Sequence, residues 1–221
     1  MVHRLTNEKS LSLKQRVYQH IKEAIFQRKM TPGFQLIETD ISKQLQVSRT
    51  PIREAFQQLS KEGLVDMIPY RGAYIANPSH EEIKDICHAR AVIESAAAGI
   101  AVEHITPKDI MLLQELVEKE ELASYKKDIE QYLSINKQFH LSIVQKANNQ
   151  YFNEFAETLL DKTNIYLIFY DHFFDQNNPL QIAESPDEHR RIIQLLKSRE
   201  KEELQAELVK HTQVSQYMVR V

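Results

Sequence analysis

Residues 73–221 contain one glycine, Gly99, whereas Gly33, Gly63 and Gly72 all fall in the first third of the chain. Glycine enters tight and left-handed turns without a Cβ clash, so a long stretch with a single one has few places to reverse sharply. The expectation is a run of helices joined by short polar links. The segment "IANPSHEE" around Pro78 marks the natural boundary, and the chain reads as residues 1–78 followed by residues 79–221.

Charge changes at the same place. Residues 1–78 carry 12 Lys+Arg against 7 Asp+Glu, and the remainder carries 16 against 24. A basic segment joined to an acidic one suits a nucleic-acid-binding module attached to a second domain. The chain is 42% hydrophobic and 27% charged, as expected of a globular protein that buries a core. No apolar run approaches the ~18 residues of a membrane span, so no membrane partner is expected. The stretch "MVHRLTNEKSLSLKQRV" has no apolar signal segment, and Cys87 is the only cysteine, so no intrachain disulfide can form. Both observations point to the cytoplasm.

In the basic part, Leu13, Val17, Ile21, Ala24 and Ile25 recur at helical spacing over about residues 12–28. Pro32 and Gly33 break that helix and lead into a short extended piece. "ETDISKQL" reads as a second helix and "QVS" as a turn. Ser48 is placed to cap a third helix, with Pro51 in its first turn, where a missing N–H costs little. That helix buries Ile52, Ala55, Phe56 and Leu59 and stops at Gly63. "LVDMIPYRGAYIA" alternates around "PYRG" as a two-stranded hairpin would. Helix, helix, turn, helix, hairpin is a winged helix-turn-helix, whose third helix points its N-terminal end at bases in the major groove. Arg49 and Arg53 lie four apart, on the face opposite Phe56 and Leu59. Two cations at a helix start oppose the macrodipole unless a phosphate or guanine edge reverses the sign. The plainer reading is a solvated basic face with Arg53 tied to a neighbouring acid such as Glu54.

The stretch "ISKQLQVSRTPIREAFQQLSKEGLV...YRGAYIA" resembles the DNA-binding domain of the GntR superfamily of bacterial transcription regulators. That resemblance implies that Arg49, Thr50 and Arg53 contact operator DNA, that Ser48 caps the recognition helix, and that Arg71 and Gly72 approach the minor groove. There are two departures. Thr39 stands where many members have a DNA-contacting arginine, and Gln46 where the turn usually has glycine.

The acidic part reads as six helices, over about residues 80–104, 107–123, 127–147, 149–174, 187–198 and 200–219. Three of them place polar groups in apolar stripes. Asn136 and His140 interrupt Tyr132, Leu133, Ile143 and Val144. His189 precedes Ile192, Ile193 and Leu196, and His211 aligns with Leu204, Leu208 and Met218. A lone buried histidine is ordinarily a hydrogen-bonded core residue. Three buried without partners cost about 1–3 kcal/mol each, and one divalent ion would satisfy all three. Neutral imidazole suits zinc, nickel and other first-row metals. Arg90 and Glu94 are spaced for an ordinary i, i+4 ion pair. His88, His104 and His172 read as surface or packing residues.

"HARAVIESAAAGIA", "INKQFHLSIVQKANN" and "EHRRIIQLLKSREKEELQAELVKH" resemble the FCD domain, the helical effector domain of the FadR-type branch, in its shorter VanR-like form. In metal-binding members an aspartate and three histidines surround a divalent ion, and the matching positions here are Asn136, His140, His189 and His211. Asn136 replaces the usual aspartate, a weaker and neutral donor. The resemblance also makes Arg90, with Glu94, a clamp for the carboxylate of a small organic acid.

The whole implies a mainly α protein, a winged helix-turn-helix followed by an all-helical FCD-type bundle. It implies a homodimeric, non-enzymatic regulator, read as a repressor, that grips a pseudo-palindromic operator. Two alternatives remain: a dimeric regulator that needs no metal, and a metal-dependent hydrolase or isomerase. The second is weaker, because the sequence shows no HExxH and no Glu or Asp obviously placed as a general base beside the histidines.

Overall fold

The computed structural model describes residues 11–170 and 184–217. The chain divides into two compact units, Met1–Pro78 and Ser79–Val221.

The first unit contains α1 (Leu13–Phe26), β1 (Gln35–Leu36), α2 (Glu38–Leu45), α3 (Arg49–Lys61), β2 (Val65–Ile68) and β3 (Gly72–Ile75). Ser12 accepts from the Gln15 N–H while the Gln15 side chain returns to the Ser12 N–H, a capping box that fixes where α1 starts. Val17, Ile21 and Ile25 of α1 are fully buried, as are Ile52, Ala55 and Leu59 of α3. Leu13, expected on the same stripe, is 49% exposed because it sits in the first turn, beyond that core. The expected two-stranded hairpin is a three-stranded antiparallel sheet in the order β1-β3-β2. The extra strand arises because Gln35 pairs with Tyr74 and Leu36 with Ala73. Two residues were too short a run to read as a strand.

The turn between α2 and α3 has an unusual residue. Gln46 adopts φ 54 and ψ 44, a left-handed conformation in which its N–H bonds back to the Ser42 carbonyl. Ser42 Oγ also donates to the Val47 carbonyl at 2.7 Å. A side chain in this region costs about 1 kcal/mol relative to glycine. Gln46→Gly is therefore expected to raise stability by about 0.5–1 kcal/mol, read as a higher denaturation midpoint; a lower midpoint would mean the Gln46 side chain makes a compensating contact.

The second unit contains α4 (His80–His104), α5 (Pro107–Tyr125), α6 (Ile129–Val144), a short 3-10 turn (Gln145–Ala147), α7 (Gln150–Tyr170), α8 (Glu184–Ser198) and α9 (Lys201–Tyr217). α4 packs against α9 and α7, and α5 against α6 and α8. The sequence reading ran the fourth of these helices to 174 and the last to 219; those ends, with His172 and Met218, lie outside the described residues. Corners that glycine would ordinarily make use Lys127, Asn148 and Arg199, each at positive φ. At Gly99 a Cβ would stand 2.7 Å from Gln205 Nε2 on α9, so any larger residue there would have to move the Gln205 side chain.

α5 starts with another capping box, Thr106 with Asp109. Asp109 also meets Lys146 Nζ at 2.7 Å, tying this helix start to the 3-10 turn. The hydrogen bonds from Lys146 and Thr106 hold its carboxyl down to about 2. Asp109→Ala should cost about 1 kcal/mol, the usual worth of a lost cap. Because the folded-state value is depressed, that contribution stands above the ordinary carboxylate range and is lost as pH falls through about 2. A wild-type–variant difference in urea midpoint that persists below pH 2 would contradict it.

Candidate functional site

Two places in the fold gather chemistry. The first is the start of α3. Arg49, Thr50 and Arg53 are exposed there, and Ser48 holds the N-cap position in extended conformation, though its side chain makes no capping hydrogen bond. The expected cap is thus positional only, which leaves the first N–H groups of α3 open. Arg53 is tied to an acid, but on α2 and not at Glu54: its Nε donates to both Glu38 oxygens, at 2.8 and 3.0 Å. The hydrogen bond to Glu38 raises the Arg53 pKa. Thr39 lies beside Glu38, exposing a hydroxyl where an arginine would have added charge. The wing turn carries the fully exposed Tyr70 and, next to it, Arg71, whose guanidinium carbon lies 5.9 Å from the Tyr74 ring centre. Gly72 follows at φ 105 and Tyr70 sits at φ 62, so the tip depends on one glycine and one tyrosine in the left-handed half of the map.

The second place is inside the helical unit. α6 supplies His140, α8 His189 and α9 His211, and one ligand atom from each lies within 4.8 Å of the others. All three are buried. The rings sit 4.9–5.2 Å apart between centroids, and Phe139 stacks on His189 at 4.1 Å, fixing its plane. Each imidazole turns its Nδ1 to a carboxylate. His189 Nδ1 is 2.7 Å from Glu120, and His211 Nδ1 is 2.6 Å from Glu188. His140 Nδ1 lies 2.7 Å from Glu94, a short contact whose angle departs from a straight hydrogen bond. Glu94 also receives Arg90 Nε at 2.6 Å, and both members of that pair are 2% exposed. The expected i, i+4 pair is therefore formed, but as a buried brace behind His140, with Arg90 Nε committed to Glu94.

This arrangement sets the tautomers. If Nδ1 carries the proton toward each carboxylate, every Nε2 presents a lone pair to the interior. His140 Nε2 and His211 Nε2 are then two acceptors facing each other at 3.2 Å, and His189 Nε2 is buried with no partner. Burial disfavours an imidazolium here, lowering His140 to about 3, more than Glu94 raises it; His189 is lowered for the same reason despite Glu120. Lone pairs turned toward one another are repulsive unless a cation lies between them. Two nitrogens at ~2.0–2.1 Å from one tetrahedral zinc stand about 3.3 Å apart, close to the separation found. Carboxylates behind ligating histidines are the usual second layer of such a centre. The donor set fits a divalent first-row ion. Asn136, one turn before His140, is buried on the same helix.

Sequence reasoning brought His140, His189 and His211 together correctly and missed the carboxylates behind two of them. Glu120 was legible: it continues the buried line Leu113, Leu116 and Val117 of α5, the same polar-in-apolar signal that marked Asn136. Glu188 was not, because its role depends on α9 lying against α8. Three carboxylates stand beside the histidines, but each meets an Nδ1, so none is placed as a general base. His88 and His104 are exposed.

Among the described residues no helix is long and apolar enough to cross a membrane. Residues 13–75 match the model for bacterial regulatory proteins of the gntR family, and residues 85–214 match the FCD domain. The chain is 29% identical over 194 residues to the HTH-type transcriptional regulator McbR of Escherichia coli, covering 88% of this chain and 86% of that one. It is 26% identical over 206 residues to the E. coli HTH-type transcriptional repressor RspR, covering 93% and 88%. The solved structure of E. coli McbR/YncC superposes with a TM-score of 0.65 at 28% identity, over 92% of this chain and 95% of that one. A GntR-type regulator from Rhodococcus shares the fold with a TM-score of 0.68 at 22% identity, over 94% and 97%. These are regulators and not enzymes, which removes the hydrolase or isomerase reading. With both domain models matched in order along one chain, this protein belongs to the GntR family of transcriptional regulators, with a winged helix-turn-helix followed by an FCD domain.

Proposed function

We propose that the protein is a cytoplasmic, homodimeric repressor whose grip on a pseudo-palindromic operator is set by a small carboxylate bound beside a divalent ion. Ser48, Arg49, Thr50 and Arg53 at the start of α3, with Arg71 and Gly72 at the wing, form its DNA surface. His140, His189 and His211 hold the ion, zinc or nickel by donor type, with Asn136 as a fourth, neutral donor. The observation that carries this reading is the pair of inward Nε2 atoms at 3.2 Å, each backed by a carboxylate on Nδ1.

Charge supports it as well. The carboxylates of Glu94, Glu120 and Glu188 stand behind the three imidazoles, and Arg90 is paired with Glu94. That local negative charge favours a divalent ion between the inward nitrogens. When bound, the ion would supply a Lewis-acidic anchor for the effector's carboxylate, with Arg90 nearby as a fixed positive charge braced by Glu94. The effector changes DNA affinity only by as much as it prefers one arrangement of the helices over another.

Two measurements test this. Arg49→Ala and Arg53→Ala should each abolish specific retention of the DNA upstream of the protein's own gene while leaving the dimer folded. Wild-type retention by both variants refutes the DNA surface. Elemental analysis should find close to one divalent ion per chain, falling sharply in His140→Ala.

A further inference from the structure

Arg53 and Arg49 share one exposed face of α3, yet the structure treats them differently. Among the described residues Arg49 forms no ion pair, whereas Arg53 Nε is held by both oxygens of Glu38, the first residue of α2. The side chains are 61% and 29% exposed, so the pair contributes little to stability through a screened Coulomb attraction. Its consequence lies in orientation. Engaging Nε uses one of the five guanidinium N–H groups and leaves both terminal nitrogens available as a parallel donor pair, the geometry that bridges guanine O6 and N7. A freely rotating arginine must be ordered at the moment of binding; this one is ordered beforehand. The carboxylate also repels phosphate, so it subtracts from the general attraction of DNA for Arg53 while leaving directed hydrogen bonds intact.

We propose that Glu38 is a specificity-determining residue, a brace that aims Arg53 at one base pair of each half-site without itself touching a base. Arg49, exposed and without an ion pair among the described residues, has no such brace, so the Glu38–Arg53 pair adds discrimination at its own base pair. This rests on the DNA-binding reading above.

The test is selection of duplexes from a random-sequence library by full-length protein, followed by affinity measurements on the recovered consensus and on a shuffled duplex of equal composition. Wild type should enrich one consensus. Glu38→Ala should lose preference at one G·C pair per half-site, and its consensus-to-shuffled affinity ratio should fall about tenfold. Its affinity for the shuffled duplex should rise about twofold at low salt, because a negative charge has left the surface. Glu38→Gln, which keeps an acceptor, should fall between the two. Arg53→Lys should lose the same base pair, and combining it with Glu38→Ala should cost no more than either alone. A Glu38→Ala protein with wild-type preference and only a lower melting temperature overturns the proposal, leaving Glu38 as an acid that complements the start of α2. If that variant does not fold, unaltered preference in Glu38→Gln overturns it equally. A wild type that enriches no sequence overturns the DNA reading itself, and the brace with it.

Discussion

Glu94→Ala is expected to lower the free energy of unfolding by about 3–5 kcal/mol and to weaken metal retention roughly 10–100-fold. Glu94 meets Arg90 Nε at 2.6 Å on one oxygen and His140 Nδ1 at 2.7 Å on the other. Burial alone would raise its pKa, but Arg90 and then His140 outweigh burial and hold the carboxyl well below the usual range. It is therefore ionised at neutral pH. Removing it strands a guanidinium that is 2% exposed and releases an imidazole from the group that orients it. Urea unfolding checks the first effect and elemental analysis the second. Replacing Arg90 and Glu94 together with apolar residues of similar size should cost far less than Glu94→Ala alone, because no lone charge is then left inside. A single-variant loss below about 1 kcal/mol would mean that water reaches and screens the pair.

The second large effect is metal removal. An ion held only by the folded state stabilises it in proportion to the logarithm of its free concentration over Kd, about 4 kcal/mol at a thousandfold excess. For a chain of this size that corresponds to roughly 8–16 °C of melting temperature. EDTA should produce a downward shift of that order, zinc or nickel should reverse it, and magnesium should not, since nitrogen donors select against it. His189→Ala should make the melting temperature insensitive to EDTA. A wild type whose melting temperature ignores EDTA would support the metal-independent alternative, in which the helical unit only dimerises.

Acid should act on the metal-free protein in a defined direction. His140 is lowered by burial from 6.5 to about 3, so the unfolded chain takes up this proton before the folded one does. The contribution is fully present above pH 6.5 and is lost progressively as pH falls toward 3. Stability of the metal-free protein that stays flat across that window would place solvent against His140.

The sequence was most legible where one residue type answers to one local geometry. The periodicity of Val17, Ile21 and Ile25, the stop at Gly63 and the "PYRG" tip give a winged helix-turn-helix, because helix spacing, chain breakers and turns act over a few residues. Histidines in apolar stripes were legible for the same reason, since one helix fixes which side chains face inward. Ends were less so: β1 is two residues long and exists only because β3 lies beside it. The acid that holds Arg53 comes from α2, fifteen positions away, so no reading of α3 alone could prefer Glu38 over Glu54.

By itself, then, the sequence determined the two-part α architecture, the basic reading helix and the three inward histidines. Only the tertiary structure decided what those side chains face. It put Glu120 behind His189 across a gap of 69 positions and His211 against His140 across 71. It also turned the Arg90–Glu94 spacing into a buried brace. Helical periodicity specifies a face, but the partner of that face is chosen by how whole helices pack, and both the tautomers and the charge of the site follow from that choice.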